Sequence, residues 1–321
     1  MSHPDRPGRG HAGTLTEPPA PGAKAGGSLA AFALARGLTQ SAARPTFPQY
    51  IRDVWQRRHF IWAFASSKSI SMYTSSKLGQ LWQVLTPLLN AGVYYLVFGV
   101  LLNNSKGIQP YVPWLVAGVF LFSFTQRSIT AGAKSVGGNL SLIRALHFPR
   151  ATLPLAFTVV ELQQLLVALA VLVAILLGFG VPITIHWLLV IPLILLQMMF
   201  NVGLSMMVAR IGAFTRDITQ LIPFILRTWF YFSGIIYSVG KLDDSAHIKD
   251  HPWIKDILEA NPGYTYVELI RQNLIREYAH SPASSYENAG LLWFYAVMWA
   301  VLFLVVGFWW FYRAEERYGR G

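Results

Sequence analysis

Long apolar runs, broken at intervals by short polar and basic stretches, dominate the chain from Leu78 to Tyr312. Apolar runs of roughly 18 residues or more read as membrane-crossing helices. Six spans are predicted on this basis, at 78–102, 111–132, 151–179, 186–212, 216–238 and 289–312. The first carries Gln83, Pro87, Asn90 and Tyr94 along one stripe, and the second carries Arg127. Glu161, Gln163 and Gln164 fall in the third, and Gln197, Asn201 and Ser205 in the fourth. The sixth is rich in Trp and Phe and reads as lipid-facing.

The fifth span is asymmetric. At helical spacing Gln220, Phe224, Arg227, Tyr231, Gly234 and Ser238 share one face, opposite Ile222, Ile225, Trp229, Phe232 and Ile236. A charge at the bilayer centre costs roughly 2.5–3.5 kcal/mol on insertion scales. Arg127, Glu161 and Arg227 are therefore expected to face protein or water. Glu161 could pair with either arginine and brace the bundle. Arg227 shares its face with polar and aromatic residues, which makes it a candidate for lining a path. Sugars suit such a lining, because their C–H faces stack on aromatic rings while their hydroxyls take hydrogen bonds. Trp229, Phe230, Tyr231, Phe232 and Tyr237 wrap around the helix, so only part of the cluster can face a path. The other reading of these rings is an interfacial aromatic belt. The candidate path residues are Gln83, Asn90, Tyr94, Gln220, Phe224, Arg227, Trp229, Tyr231 and Tyr237.

Three segments outside the spans are amphipathic. In Phe47–Ala65, opened by Pro48, Ile51, Val54, Trp55, Trp62 and Ala65 oppose Arg52, Asp53, Gln56 and Arg57. Arg58 intrudes on the apolar side but can extend to water. This is the pattern of a helix lying in the membrane interface, and residues 47–77 form that helix and its linker. A short helix is predicted at Leu140–Leu146, within the basic loop 137–150. In the long connection 239–286, Trp253–Glu259 and Tyr264–Ile275 read as two short amphipathic surface helices, divided by Asn261-Pro262-Gly263.

Composition sharpens the class. Hydrophobic residues make up 54% and charged residues 13% of the chain, and cysteine is absent, so the fold class is an all-α polytopic membrane protein. The net charge of +11 is unevenly spread: residues 1–77 hold ten Lys/Arg against three acids, whereas 239–288 holds five bases against eight acids. That bias puts both termini in the cytoplasm of a multi-pass plasma-membrane protein and argues against nucleic acid as partner. Residues 1–46 read as a disordered cytoplasmic tail and 313–321 as a cytoplasmic C-terminus.

No G-x-x-x-x-G-K-[ST] occurs, so the chain has no recognisable ATP site. His247 and His251, near Asp244 and Asp250, lack a third ligand fixed by spacing, and Asp243-Asp244 is an isolated acidic pair. No metal site, catalytic residue or cofactor is assigned.

In order and spacing, LGQLWQVLTPLLN, LIRALHFPRATLP, FTRDITQLIPF, SGIIYS and ANPGYTYVELIRQNLI resemble the permease subunits of ABC-2 polysaccharide exporters, which carry O-antigen or teichoic acid. The run from RDVWQRRHF to AGVYYLVFGVLLN is similar to galactan exporter permeases of the mycobacterial type. The resemblance implies a homodimer of six-span subunits, surrounded by membrane lipids, with two separate ATPase subunits that bind ATP and Mg. The ATPases would dock on the interface helix, with Arg52 and Trp55, and on the loop with Leu142, Ile143, Arg144, His147, Phe148 and Arg150. Spans one and five would line a channel for a lipid-linked polysaccharide, and 239–286 would form outer re-entrant helices. Arg57, Arg58, Lys68 and Lys77 near the entrance would attract a pyrophosphate. Family members often have Ser-Pro where this chain has Ser233-Gly234. Two competing functions are a lipid or drug exporter permease, which needs an apolar cavity, and a membrane glycosyltransferase or polymerase, which needs acids placed around a site.

Overall fold

A computed structural model describes residues 45–72, 78–79, 81–101, 108–146, 148–240, 253–285 and 288–318, and among them every regular element is helical. The predicted interface helix is two helices, α1 (Phe47–Gln56) and α2 (Arg58–Ser71), jointed at Arg57. Pro48 fits the first turn, where its missing N–H has no partner to lose. Tyr50, Val54, Ile61 and Ala65 are buried, while Ile51, Trp55 and Trp62 of the predicted apolar face stay exposed.

The α3 helix (Leu81–Tyr94) continues through a π-helical turn, Tyr95–Leu101. It is followed by α4 (Tyr111–Ser135), α5 (Leu140–Ala145) and α6 (Thr152–Gly178). Next come α7 (Val190–Phe214, entered through the turn Ile185–Leu189) and α8 (Arg216–Phe232). Three shorter helices, α9 (Trp253–Ala260), α10 (Pro262–Leu274) and α11 (Arg276–Ala279), precede α12 (Ala289–Tyr312) and the turn Glu315–Arg317.

Among the described residues five segments are long and apolar enough to cross a membrane: Val84–Leu101, Tyr111–Ser135, Thr152–Gly178, Ile185–Phe214 and Ala289–Tyr312. The remaining predicted span is shorter than expected. The α8 helix has 17 residues, about 26 Å of helix against a hydrocarbon core of roughly 30 Å. It ends at Phe232 because Ser233 Oγ donates back to the Trp229 carbonyl at 2.7 Å and Gly234 turns left-handed at φ 59°. A proline there could not adopt that φ, so this chain ends the helix with glycine instead of kinking it with Ser-Pro. Beyond it, Ser233–Ile236 is buried without being helical. Such backbone is tolerated in a membrane protein where the protein itself satisfies it. Arg271 does so, donating to the Gly234 and Ile235 carbonyls at 2.8 and 2.7 Å.

The core is built around α4, whose residues Trp114–Phe122 are all buried, packed by α6, α7 and α10. Arg127 of α4 meets Glu161 of α6 at 3.1 Å, and Gln197 of α7 donates to Leu121 O and Thr125 Oγ1 of α4, both at 3.0 Å. The α7 and α12 helices cross at Gly203 and Gly307, where a Cβ on either would overlap the facing backbone. Small residues let membrane helices approach this closely. The α10 helix is no surface element: every residue from Gly263 to Leu274 is buried, against α4, α7 and α12.

Candidate functional site

The α3 and α8 helices are the least covered long elements. Along α3, Leu85, Leu89, Val93, Leu96 and Val100 are exposed. The α8 helix packs through a narrow stripe of Ile222, Leu226, Trp229 and Phe230 onto α4 and α7. Because the stripe is narrow, Ile225 and Phe232, on the apolar side opposite Arg227, are exposed as well.

Gln220, Phe224, Arg227 and Tyr231 all stand on the exposed side of α8, Phe224 at 72% and Tyr231 at 45%. Tyr94 of α3 packs on Phe230 with ring centroids 5.1 Å apart. Asn90, one turn earlier on α3, is exposed, and Gln83 occupies the first turn of that helix. Tyr94 therefore meets α8 at Phe230, next to Tyr231 and one turn from Arg227, with Asn90 and Gln220 along the same two helices. This surface offers a fixed cation, amide and phenol hydrogen-bonding groups, and ring faces, a set suited to hydroxylated or phosphorylated ligands.

Two predicted members stand elsewhere. Trp229 packs on Phe122 and Phe200, at 5.5 and 6.3 Å, and donates Nε1–H to Asn261 Oδ1 at 2.8 Å. Tyr237 lies beyond the end of α8, partly buried against the core. Asn261 also accepts from Gly263 N at 2.9 Å and donates to the Phe232 carbonyl at 3.0 Å. The breaker Asn261-Pro262-Gly263 thus caps α10 and ties it to the end of α8. Arg271 completes the joint by donating to Trp114 O at 3.1 Å.

The predicted docking elements meet at one end of the bundle. Phe60 of α2 packs on Phe148 after α5, with centroids 5.8 Å apart. Within the loop, Ile143 is buried, Leu142 is partly exposed and Arg144 is exposed. Arg150 is drawn into a knot that sequence reasoning missed, centred on Glu315. The Glu315 carboxylate accepts from Tyr50 Oη at 2.7 Å and from Arg150 N at 2.9 Å, while the Tyr50 hydroxyl accepts from Ala151 N at 3.1 Å. Burial raises the Glu315 pKa, and its hydrogen bonds from Arg150 and Tyr50 act against that rise. The knot joins α1, the loop after α5 and the segment after α12. Glu315 lies in RAEERYGR, where no periodicity marks it. Arg52, Arg57, Arg58 and Lys68 are exposed. Lys77 and His147 lie outside the described residues, as do Asp243, Asp244, His247, Asp250, His251 and residues 1–44.

The long apolar helices make the chain a multi-pass α-helical membrane protein. The profile of the ABC-2 type transporter family matches residues 59–275, and the chain belongs to that family. It is similar to an O-antigen export system permease protein RfbA of Klebsiella pneumoniae, at 31% identity over 167 residues, which cover 52% of this chain and 64% of the relative. A second Klebsiella pneumoniae RfbA is 30% identical over the same number of residues and shares. The O-antigen export system permease protein RfbA of Myxococcus xanthus is 24% identical over 196 residues, 61% of this chain and 75% of the relative. The chain thus spans somewhat less than two thirds of the Klebsiella relatives' length.

Proposed function

We propose that this chain is the channel-forming permease subunit of an ATP-driven exporter moving a polyprenyl-pyrophosphate-linked polysaccharide, cell-wall galactan, across the plasma membrane. The observation that carries this reading is the exposed face of α8 with Gln220, Arg227 and Tyr231, beside which α3 sets Tyr94 and Asn90. The O-antigen export role named for its relatives supports a glycan cargo. The galactan assignment rests on the resemblance of the α1–α3 region.

In this reading two copies pair through α3 and α8, and the joined faces line the channel. Two ATPase subunits, which hold ATP and Mg, dock on α1–α2 and on the loop Leu140–Arg150. That end is cytoplasmic, with both termini, and α9–α11 stand toward the outside. The Glu315 knot makes the two docking elements move together, so ATP-driven closure of the ATPases reaches the spans as one displacement. Separation of α3 from α8 then opens the polar face, on which sugar hydroxyls and rings exchange partners. Arg57, Lys68 and Lys77 draw the pyrophosphate to the entrance. The chain performs no catalysis and holds no cofactor.

Arg227→Ala tests the reading. Glycan export in cells should fall about tenfold or more, as expected for a lost charged hydrogen bond of ~1.5–3 kcal/mol, while ATPase subunits still co-purify. Unchanged export removes Arg227 from the channel, and extension of glycan by the purified chain alone favours a transferase.

A further inference from the structure

Between α1–α2 and the adjoining parts of α6, α7 and α12 lies an apolar cavity of about 640 Å³. Ile51, Trp55 and Trp62 form one wall, and Val159, Met206 and Phe308 form part of the other. Trp55 is 69% and Trp62 57% exposed, so the rest of this chain leaves the helix wall uncovered, and here Trp55 faces the groove rather than serving as a docking residue. The opposite wall belongs to helices long and apolar enough to cross a membrane, the surface that a bilayer covers with hydrocarbon. Indole rings at such a boundary sit at headgroup depth, and the volume is that of a small-molecule site.

Charge decides which lipid. Arg58 is the one charged residue in the lining. Its guanidinium stands 5.8 Å from the Trp55 ring and makes a long contact, 3.5 Å, with the Trp55 carbonyl. Arg52 and Arg57 are exposed on the same pair of helices. Among the described residues no carboxylate pairs with any of the three, although Asp53 lies nearby in sequence. An apolar cleft ending at an uncompensated arginine complements a hydrocarbon chain ending in an anion.

We infer that this groove holds one anionic phospholipid. An acyl chain lies between the tryptophans of α1–α2 and the walls of α6, α7 and α12, and the headgroup phosphate sits on Arg58. The lipid is a structural wedge beneath the docking helices, distinct from the cargo on the α3–α8 face. It belongs to the cytoplasmic leaflet if the orientation proposed above holds; the site itself depends on neither orientation nor cargo.

The test is native mass spectrometry of the purified full chain after exchange into equal phosphatidylglycerol and phosphatidylcholine. One retained phosphatidylglycerol per chain is expected, preferred about fivefold, the effect of one cation near an anionic surface. Arg58→Gln should bring the two lipids to parity. Val305 lines the groove and is 59% exposed, so Val305→Trp fills it without entering the core. This variant should lose the retained lipid and keep its thermal midpoint. Retention unchanged in Val305→Trp, or an undiminished preference in Arg58→Gln, overturns the assignment. So does displacement of the phospholipid by undecaprenyl phosphate, which would give the groove to the carrier. Because export is not measured, each outcome leaves the proposed channel standing or falling on its own test.

Discussion

Arg271 carries its charge with no exposure to solvent. An unpaired buried charge is costly enough to unfold a domain, so its surroundings must replace water. Carbonyls of Trp114, Gly234 and Ile235 accept its donors at 3.1, 2.8 and 2.7 Å. The Trp114 ring lies 3.5 Å from the guanidinium carbon, and Glu268 stands 4.0 Å away. Burial still lowers the Arg271 pKa below the ordinary arginine value, with Tyr278 and Glu268 opposing that effect. Glu268 is held in turn by the Tyr278 hydroxyl, at 2.9 and 2.8 Å to its two oxygens, and by Gln272 at 3.0 Å. Arg271→Met removes the donors to the non-helical Gly234 and Ile235 carbonyls and the cation beside Glu268. It should cost about 3–5 kcal/mol, read as a lower thermal midpoint in detergent. A midpoint equal to the parent's would mean that these bonds hold nothing together.

At the scale of elements, the α7–α12 crossing is set by two glycines with no room for a side chain. Gly307→Val should force the helices apart and lose about 1–3 kcal/mol or more, seen as polydispersity on size exclusion and a lower midpoint. Gly290, in the same helix, has no neighbour within 4 Å of the place a Cβ would take, so Gly290→Ala should stay within about 0.5 kcal/mol of the parent. Equal loss from both would mean that the close crossing is not what Gly307 provides, since helix propensity favours both replacements over glycine. The existence of α12, Ala289–Tyr312, could be read from hydropathy. The end of α8 could not, because it depends on Gly234 adopting a left-handed turn and on Arg271 receiving the freed carbonyls. For the same reason α10 reads as a surface helix in isolation: Glu268 and Arg271 look like a solvated face until their partners on α4, α8 and α11 are known.

For the whole molecule, the exposed lengths of α3 and α8 need a cover, and a second copy of the chain is the proposed one. A two-fold interface brings equivalent residues near its axis. The chain has no cysteine, so single-cysteine variants report without background. Asn90→Cys and Phe224→Cys should give covalent dimers with a short bifunctional maleimide in membranes. Phe294→Cys, 61% exposed on α12, should not. Dimers from Phe294→Cys alone would move the interface to α12, and no dimers from any variant would leave the channel face to lipid.

The order of apolar runs, the amphipathic N-terminal segment, the breaker at Asn261-Pro262-Gly263 and the shared face of Gln220, Phe224, Arg227 and Tyr231 were all determined by the sequence alone. Hydropathy over a long window and the 3.6-residue period are local properties, and a bilayer enforces them on every helix that crosses it. Only the tertiary structure decided what each face meets. It paired Glu161 with Arg127 and left Arg227 exposed, turned Trp229 inward to Asn261, and gathered Tyr50, Arg150 and Glu315 from three distant segments. Periodicity states which residues share a side of a helix. Which side is covered depends on the partners that burial and charge neutralisation bring to it.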